Sequence, residues 1–156
     1  MYLDKPEPFE KTDNERLLHL AQRASLVIFE TQSVFPFELF PDKLIICANR
    51  ITIYHNTAFS REEYPIPIES VTGASIFKSN PFFASLSIET FGLTKPEPIH
   101  YLRTKEARLA RRYILALIEC KKANIDLSGQ KVSQLREALK NIGMVRDGSG
   151  PQHHQL

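Results

Sequence analysis

From Phe35 to Cys120 the chain reads as a meander of short strands, and it ends in one long amphipathic helix, roughly Lys105 to Lys122. No other feature constrains the fold as much. Leu44-Ile45-Ile46-Cys47 and Ile51 to His55 flank an Asn49-Arg50 turn, where Asn tolerates a positive φ, and form the clearest hairpin. Tyr64-Pro65-Ile66-Pro67-Ile68 is extended, because two prolines exclude a helix. Val71 to Lys78, Phe82 to Phe91 and Ile99 to Leu102 follow as strands, with Asn80-Pro81 as a turn. Phe35, Phe37 and Leu39 alternate with Pro36, Glu38 and Phe40, and Pro36 restricts any strand there to an edge. About seven strands with short links favour an antiparallel sheet. In the closing helix, Ala107, Ala110, Tyr113, Ile114, Leu117 and Ile118 form one packing stripe behind a Thr104 cap. Strands followed by a single such helix make a small barrel or a curved sheet with a helical plug.

The flanks are simpler. Residues 1–15 set five acids against two lysines and contain Pro6 and Pro8, which reads as a loose acidic leader. From Asp13 to Phe29, Leu17, Leu20, Ala21, Ala24, Val27 and Ile28 fall at helical spacing, although Leu26 to Phe29 would also suit a strand. After Asp126-Leu127-Ser128-Gly129, Ser128 is placed to cap a short helix that carries Val132, Leu135, Leu139 and Ile142 and stops at Gly143. The division expected is 1–33 leader and N-terminal helix, 34–124 sheet domain, 125–143 accessory helix, and 144–156 disordered tail.

Composition narrows the function. A chain of 156 residues is one domain with appendages, and ten Phe with no Trp suggest a Phe-rich core. Net charge is +2, so no field of the whole molecule draws it to nucleic acid or membrane. Cys47 and Cys120 lie on apolar segments and read as buried free thiols in a reducing cytosol. The N-terminus lacks a signal-peptide pattern, and Ala24 to Phe29 is far short of the ~20 residues of a membrane span.

The hairpin LIICANRITIYHN, the run REEYPIPIESVTGASI and the helix RTKEARLARRYILALIECKK together resemble the bacterial pleckstrin-homology-like (PH-like) domains. The likeness covers about half the chain and carries no catalytic signature. It implies a seven-stranded, bent antiparallel barrel with one end plugged by the closing helix. In the wider superfamily such domains bind lipid headgroups, peptides or proteins, or form oligomers. The phosphoinositide-binding version needs several converging cations in the first strand loop, whereas the Phe40 to Leu44 turn offers Lys43 alone.

Three candidate contact regions follow. Arg103, Lys105, Arg108, Arg111 and Arg112, with Lys121 and Lys122, make a basic helix face opposed by Glu106 and Glu119. It is either an anion, lipid or partner contact or a solvated face whose long side chains cover the sheet. Phe82 and Phe83 beside the Asn80-Pro81 turn are either an apolar partner contact or core, and Phe59 poses the same choice. The stripe Val132, Leu135 and Leu139 must dock on its own domain or on another chain, because an isolated helix of this length is marginal in water.

Catalytic residues, metal ligands and cofactors are not expected. His19, His55 and His100 are dispersed, and no metal-ligand spacing, phosphate loop or nucleophile elbow occurs. The expectation is an α+β, PH-like barrel or bent sheet that acts as a non-catalytic binding or scaffolding module, through protein contacts or self-association. The alternative is a peripheral membrane adaptor that holds anionic lipid through the basic helix face. Nucleic acid and small-molecule substrates are not expected. The expected location is cytoplasmic, with the inner face of the membrane as the variant.

Overall fold

The computed structural model describes residues 13–18, 21, 26–78, 80–92, 95–127, 129–146 and 148. The leader up to residue 12, Leu20, Ala24, Ser128 and the tail from 149 lie outside the described residues.

Among the described residues, seven antiparallel strands form two sheets. The first holds β1 (Val27–Gln32), β2 (Lys43–Cys47), β3 (Arg50–Asn56) and β4 (Arg61–Pro67), each paired with the next. The second holds β5 (Val71–Lys78), β6 (Phe83–Thr90) and β7 (Ile99–Arg103). A single 3₁₀ turn, Ile68–Ser70, carries the chain from one sheet to the other. The closing helix (Thr104–Lys122) and a C-terminal helix (Val132–Arg146) complete an α+β fold.

The strand count matches the expectation, but one strand has moved. Residues 13–18 are helical, yet Val27–Gln32 is a strand paired with β2, so the sheet begins before residue 34. The Val-Ile-Phe run has the β-branched and aromatic character that packs on a pleated surface. The Phe35–Phe40 segment is a turn and bend rather than an edge strand. Asn49 lacks the positive φ expected of it; among the described non-glycine residues, only Tyr101 and Asn124 adopt one.

The core lies between the two sheets and the closing helix. Ile28, Leu44, Ile46, Ile51 and Ile53 enter from the first sheet, and Leu86, Ile99 and Leu102 from the second. Ala107, Ala110, Ile114 and Leu117 enter from the helix. The core is therefore built of Ile, Leu and Ala, and none of the described phenylalanines is buried. This corrects the Phe-rich expectation. Isoleucine on alternate strand positions and alanine on the helix let three layers approach closely; Tyr113 is the one buried aromatic ring among the described residues, and half-buried Phe29 packs on it at 5.5 Å, centroid to centroid.

Both helices also close sheet edges. The Arg111 side chain donates from Nε to the Ala74 carbonyl of β5 at 2.9 Å, and Arg136 donates to the Ile28 carbonyl of β1 at 2.7 Å. Each arginine occupies an acceptor that an edge strand otherwise offers to another chain. On β4, the other edge strand of the first sheet, Pro65 and Pro67 remove donors from the ladder.

The C-terminal helix docks on its own chain. Leu135 and Leu139 are each 1% exposed, and they pack on the closing helix together with Gly143. Val132 is half-buried. The stripe is therefore not a free partner surface, because the apolar face that an isolated helix could not leave in water is covered at home. Gly143 does not stop the helix, which runs on to Arg146. It sits where the helix crosses the Arg112 backbone of the closing helix.

Candidate functional site

The phenylalanines missing from the core lie on the surface, and most of them gather at one end. Phe35, Phe37 and Phe40, with Leu39, stand on the β1–β2 connection, and all four are exposed. Phe59 is fully exposed at the tip of the β3–β4 turn. Phe77 and Phe82 are exposed on the β5–β6 hairpin. Phe91, on the β6–β7 connection, is the outlier at the other end. Scattered apolar residues on a surface need no explanation, but a contiguous aromatic patch does.

The patch has a defined centre. The Phe37 ring lies 4.7 Å from that of Phe83 and 6.1 Å from that of Tyr101, centroid to centroid, while remaining 57% exposed. Tyr101 is held at φ 55°, which a bulky non-glycine residue rarely adopts. The cause is local: the β6–β7 register shifts between Ala84 and Leu86, and the bulge re-aims Tyr101 toward the surface. The β1–β2 connection then grips this bulge. The Val34 N–H donates to the Tyr101 carbonyl at 2.9 Å, and the buried Ser33 hydroxyl donates to the His100 carbonyl at 2.8 Å.

The three connections are tied into one body. The Asn56 amide side chain donates to the Pro41 carbonyl at 2.6 Å, and its backbone N–H donates to Asp42 Oδ1 at 3.1 Å. His55 Nδ1 lies 2.8 Å from Asp42 Oδ2. The β5–β6 turn is built on Asn80, whose side-chain oxygen accepts from the Phe82 and Phe83 amides. Thr104 was expected to cap the closing helix. Instead it is the first helical residue, and its hydroxyl donates to the Pro81 carbonyl at 3.2 Å while its N–H donates to the Phe82 carbonyl.

The basic helix face is divided by this packing. Arg103, Lys105 and Arg108 are exposed near the aromatic end, and no ion pair to them occurs among the described residues. Arg111 is turned onto β5, and Arg112 is half-buried beneath the C-terminal helix. At the far end Lys121 meets Glu69 at 2.7 Å, and Glu119 lies 3.1 Å from Arg146 and 3.7 Å from Lys122. Of the five arginines and lysines first singled out, three are exposed, Arg111 serves the fold, and Arg112 is half-buried.

The Lys121 contact gives a testable pH effect. Hydrogen bonding to Lys121, and then to its own backbone, holds the Glu69 carboxyl below the usual range. A lowered folded value contributes stability above the unfolded pKa of ~4.3, and that stability is lost as pH falls through the folded value. Both side chains are more than a third exposed, so the expected effect is under about 0.5 kcal/mol. Thermal melts of wild type and Glu69→Gln should differ slightly at neutral pH and converge in acid; a gap that widens in acid would reverse the assignment.

Little here supports chemistry. Burial raises the Cys47 thiol, with Arg50 opposing, and burial also raises Cys120. Neither has the depressed pKa of a reactive thiolate. His100 is taken up by the Ser85 hydroxyl at 2.8 Å and His55 by Asp42, while His19 lies outside the described residues. Among the described residues, no cluster of His, Cys, Asp or Glu could hold a metal ion. A cleft of about 410 Å³ beside the aromatic end is lined by Glu30, Thr31, Ser33, Phe35, Arg103 and Glu106, and in it Thr31 donates to Glu106 at 2.8 Å.

Sequence reasoning found Phe82 and Phe83 but read Phe35 and Phe37 as part of a strand, and it did not connect Tyr101 to them. Pro36 and Pro41, on either side of Phe37 to Phe40, were the available signal, since such a stretch fits no central strand. Among the described residues, no helix is long and apolar enough to cross a membrane. No protein-family model and no curated protein matches the chain.

Proposed function

We propose that this protein is a non-catalytic binding or scaffolding module of the PH-like kind, and that its contact surface is the aromatic end. The carrying observation is Phe37, packed between Phe83 and Tyr101 yet more than half exposed. A sheet pair of four and three strands with one closing helix supports the PH-like reading. The strained Tyr101 backbone supports a binding role, because strain persists where the surrounding structure holds a residue for a purpose other than packing.

The partner surface this end would match is apolar and negatively charged. Aromatic residues and arginine are the side chains enriched in interface cores. Self-association through Val132, Leu135 and Leu139 is no longer the favoured route, since that stripe is covered within the chain. A protein partner or a second copy would instead meet the aromatic end. The reading as a peripheral adaptor is favoured by one observation of its own, the outward set Arg103, Lys105 and Arg108.

The test is photo-cross-linking in the native host with a benzophenone side chain at position 82, and at exposed position 137 as control. Adducts from position 82 that disappear with Phe37→Ser, with none from position 137, are expected. An absence of both protein and lipid adducts from position 82 would reject the aromatic end as a contact surface.

A further inference from the structure

We infer that the partner at this end is the surface of an anionic lipid bilayer, which phenylalanines from three loops enter while Arg103, Lys105 and Arg108 meet the headgroups. The inference rests on reading the aromatic end as the contact surface. It begins with placement. In an antiparallel meander alternate connections emerge at the same end, which puts the β1–β2 and β3–β4 loops together. The Phe37–Phe83 ring contact brings the β5–β6 loop to them.

Each loop then offers an apolar side chain that packs on little or nothing. These are Phe35 at 67% and Leu39 at 68% exposed, Phe59 fully exposed, and Phe82 at 74% exposed. The loops are also rigid. The Phe59 turn is closed by Thr57 N–H to the Ser60 carbonyl at 2.8 Å and by Ser60 N–H to the Thr57 hydroxyl at 3.0 Å. The Phe82 turn is closed by Asn80. Because these turns are already closed in the fold, their backbones lose little freedom on binding. Tips on three separate loops do not line one groove for a peptide. A planar interface meets all of them at once.

The charges are complementary to an anionic surface. Asp42 is engaged by His55 and Asn56, and Glu106 by Thr31, so these acids are satisfied within the fold. Arg103, Lys105 and Arg108 carry no ion pair among the described residues; against them stand Glu38 in the β1–β2 loop and the exposed Glu62 and Glu63 beside the Phe59 turn, where Arg61 adds a further cation. Basic residues beside inserted aromatic rings are the pattern of interfacial membrane binding. A specific headgroup pocket is not part of the proposal: Lys43, the cation of the first loop, is paired with Glu30 at 2.6 Å.

The chain has no tryptophan, so Phe59→Trp in the full chain places a single reporter at one tip. With vesicles of phosphatidylcholine and phosphatidylglycerol in equal amounts, its emission should shift to the blue and be quenched by brominated acyl chains. Phosphatidylcholine alone should give neither effect. In flotation, Phe59→Ser and Phe82→Ser should each weaken binding about ten-fold. Arg103→Glu with Lys105→Glu should weaken it at least as much, and inositol hexakisphosphate should not compete. Phe59 touches nothing in the fold, so a circular dichroism spectrum identical to wild type is expected for its variants. Binding that ignores both Phe changes, or a reporter that stays red, would overturn the insertion. Protein cross-links from position 82 without any vesicle response would overturn the lipid partner and leave the contact surface standing. Silence in both experiments would retire both.

Discussion

Gly143→Ala is expected to lower stability by about 3 kcal/mol, although alanine is the better helix former by ~1 kcal/mol. A Cβ at this position would overlap the Arg112 carbonyl oxygen and lie 2.6 Å from its carbon and 2.7 Å from its Cα. These are backbone atoms in the middle of the closing helix, which cannot swing aside as a flexible side chain would. The two helices must separate instead. Separation uncovers Leu135 and Leu139, and it pulls Arg136 away from the Ile28 carbonyl it caps. For a chain of this length the loss corresponds to a fall in melting temperature of roughly 10 °C. The exposed neighbour Lys140→Ala is the control, and its effect should stay within about 0.5 kcal/mol. Hydrogen exchange should show the loss concentrated in Val132–Arg146. A Gly143→Ala protein as stable as wild type would show that the helices do not cross this closely.

Ile114→Ala should cost about 3–4 kcal/mol. Ile114 is fully buried midway along the closing helix, between Ala110 and Leu117, where the helix meets the sheets. Alanine removes three carbons from a site walled by close-packed isoleucine and leucine, and neighbours locked into two sheets have little freedom to collapse into the space. Urea unfolding should show a lower midpoint at an unchanged slope. A loss below about 1 kcal/mol would mean that the site relaxes and the core is loosely packed. The companion change Phe59→Ala removes a larger side chain and should alter stability by less than about 0.5 kcal/mol, since Phe59 is fully exposed. The pair tests a distinctive feature of this fold, in which aliphatic residues fill most of the interior and most of the described phenylalanines stand outside.

Much of the architecture was legible in the residues. The β2–β3 hairpin, the extended Tyr64–Ile68 segment, strands β5 to β7 and the closing helix follow from alternation, turn chemistry and helical spacing, all of which act over a few neighbours. The packing stripe Ala107, Ala110, Ile114 and Leu117 was readable for the same reason. The site was readable only in pieces. Phe82 and Phe83 stood out beside their turn, and the basic residues stood out by charge. Nothing local could say that Arg111 would be spent on the Ala74 carbonyl while Arg108 faced outward, because the two lie on one helix and differ only in what the sheets place opposite them.

By itself, then, the sequence determined the succession of strands from Lys43 to Arg103, the closing helix that follows them, and that this helix is too basic to be wholly buried. Whether a phenylalanine lies inside or outside is a different kind of property. It depends on which layers meet and how closely: between the same layers Tyr113 is buried, while Phe35, Phe37 and Phe59 stand on connections that no layer covers. Only the tertiary structure could therefore move the phenylalanines to the surface and bring Phe37, Phe83 and Tyr101 together from three distant segments. It also seated Leu135 and Leu139 at home, because burial is decided by the whole chain and not by the hydrophobicity of a residue or its neighbours.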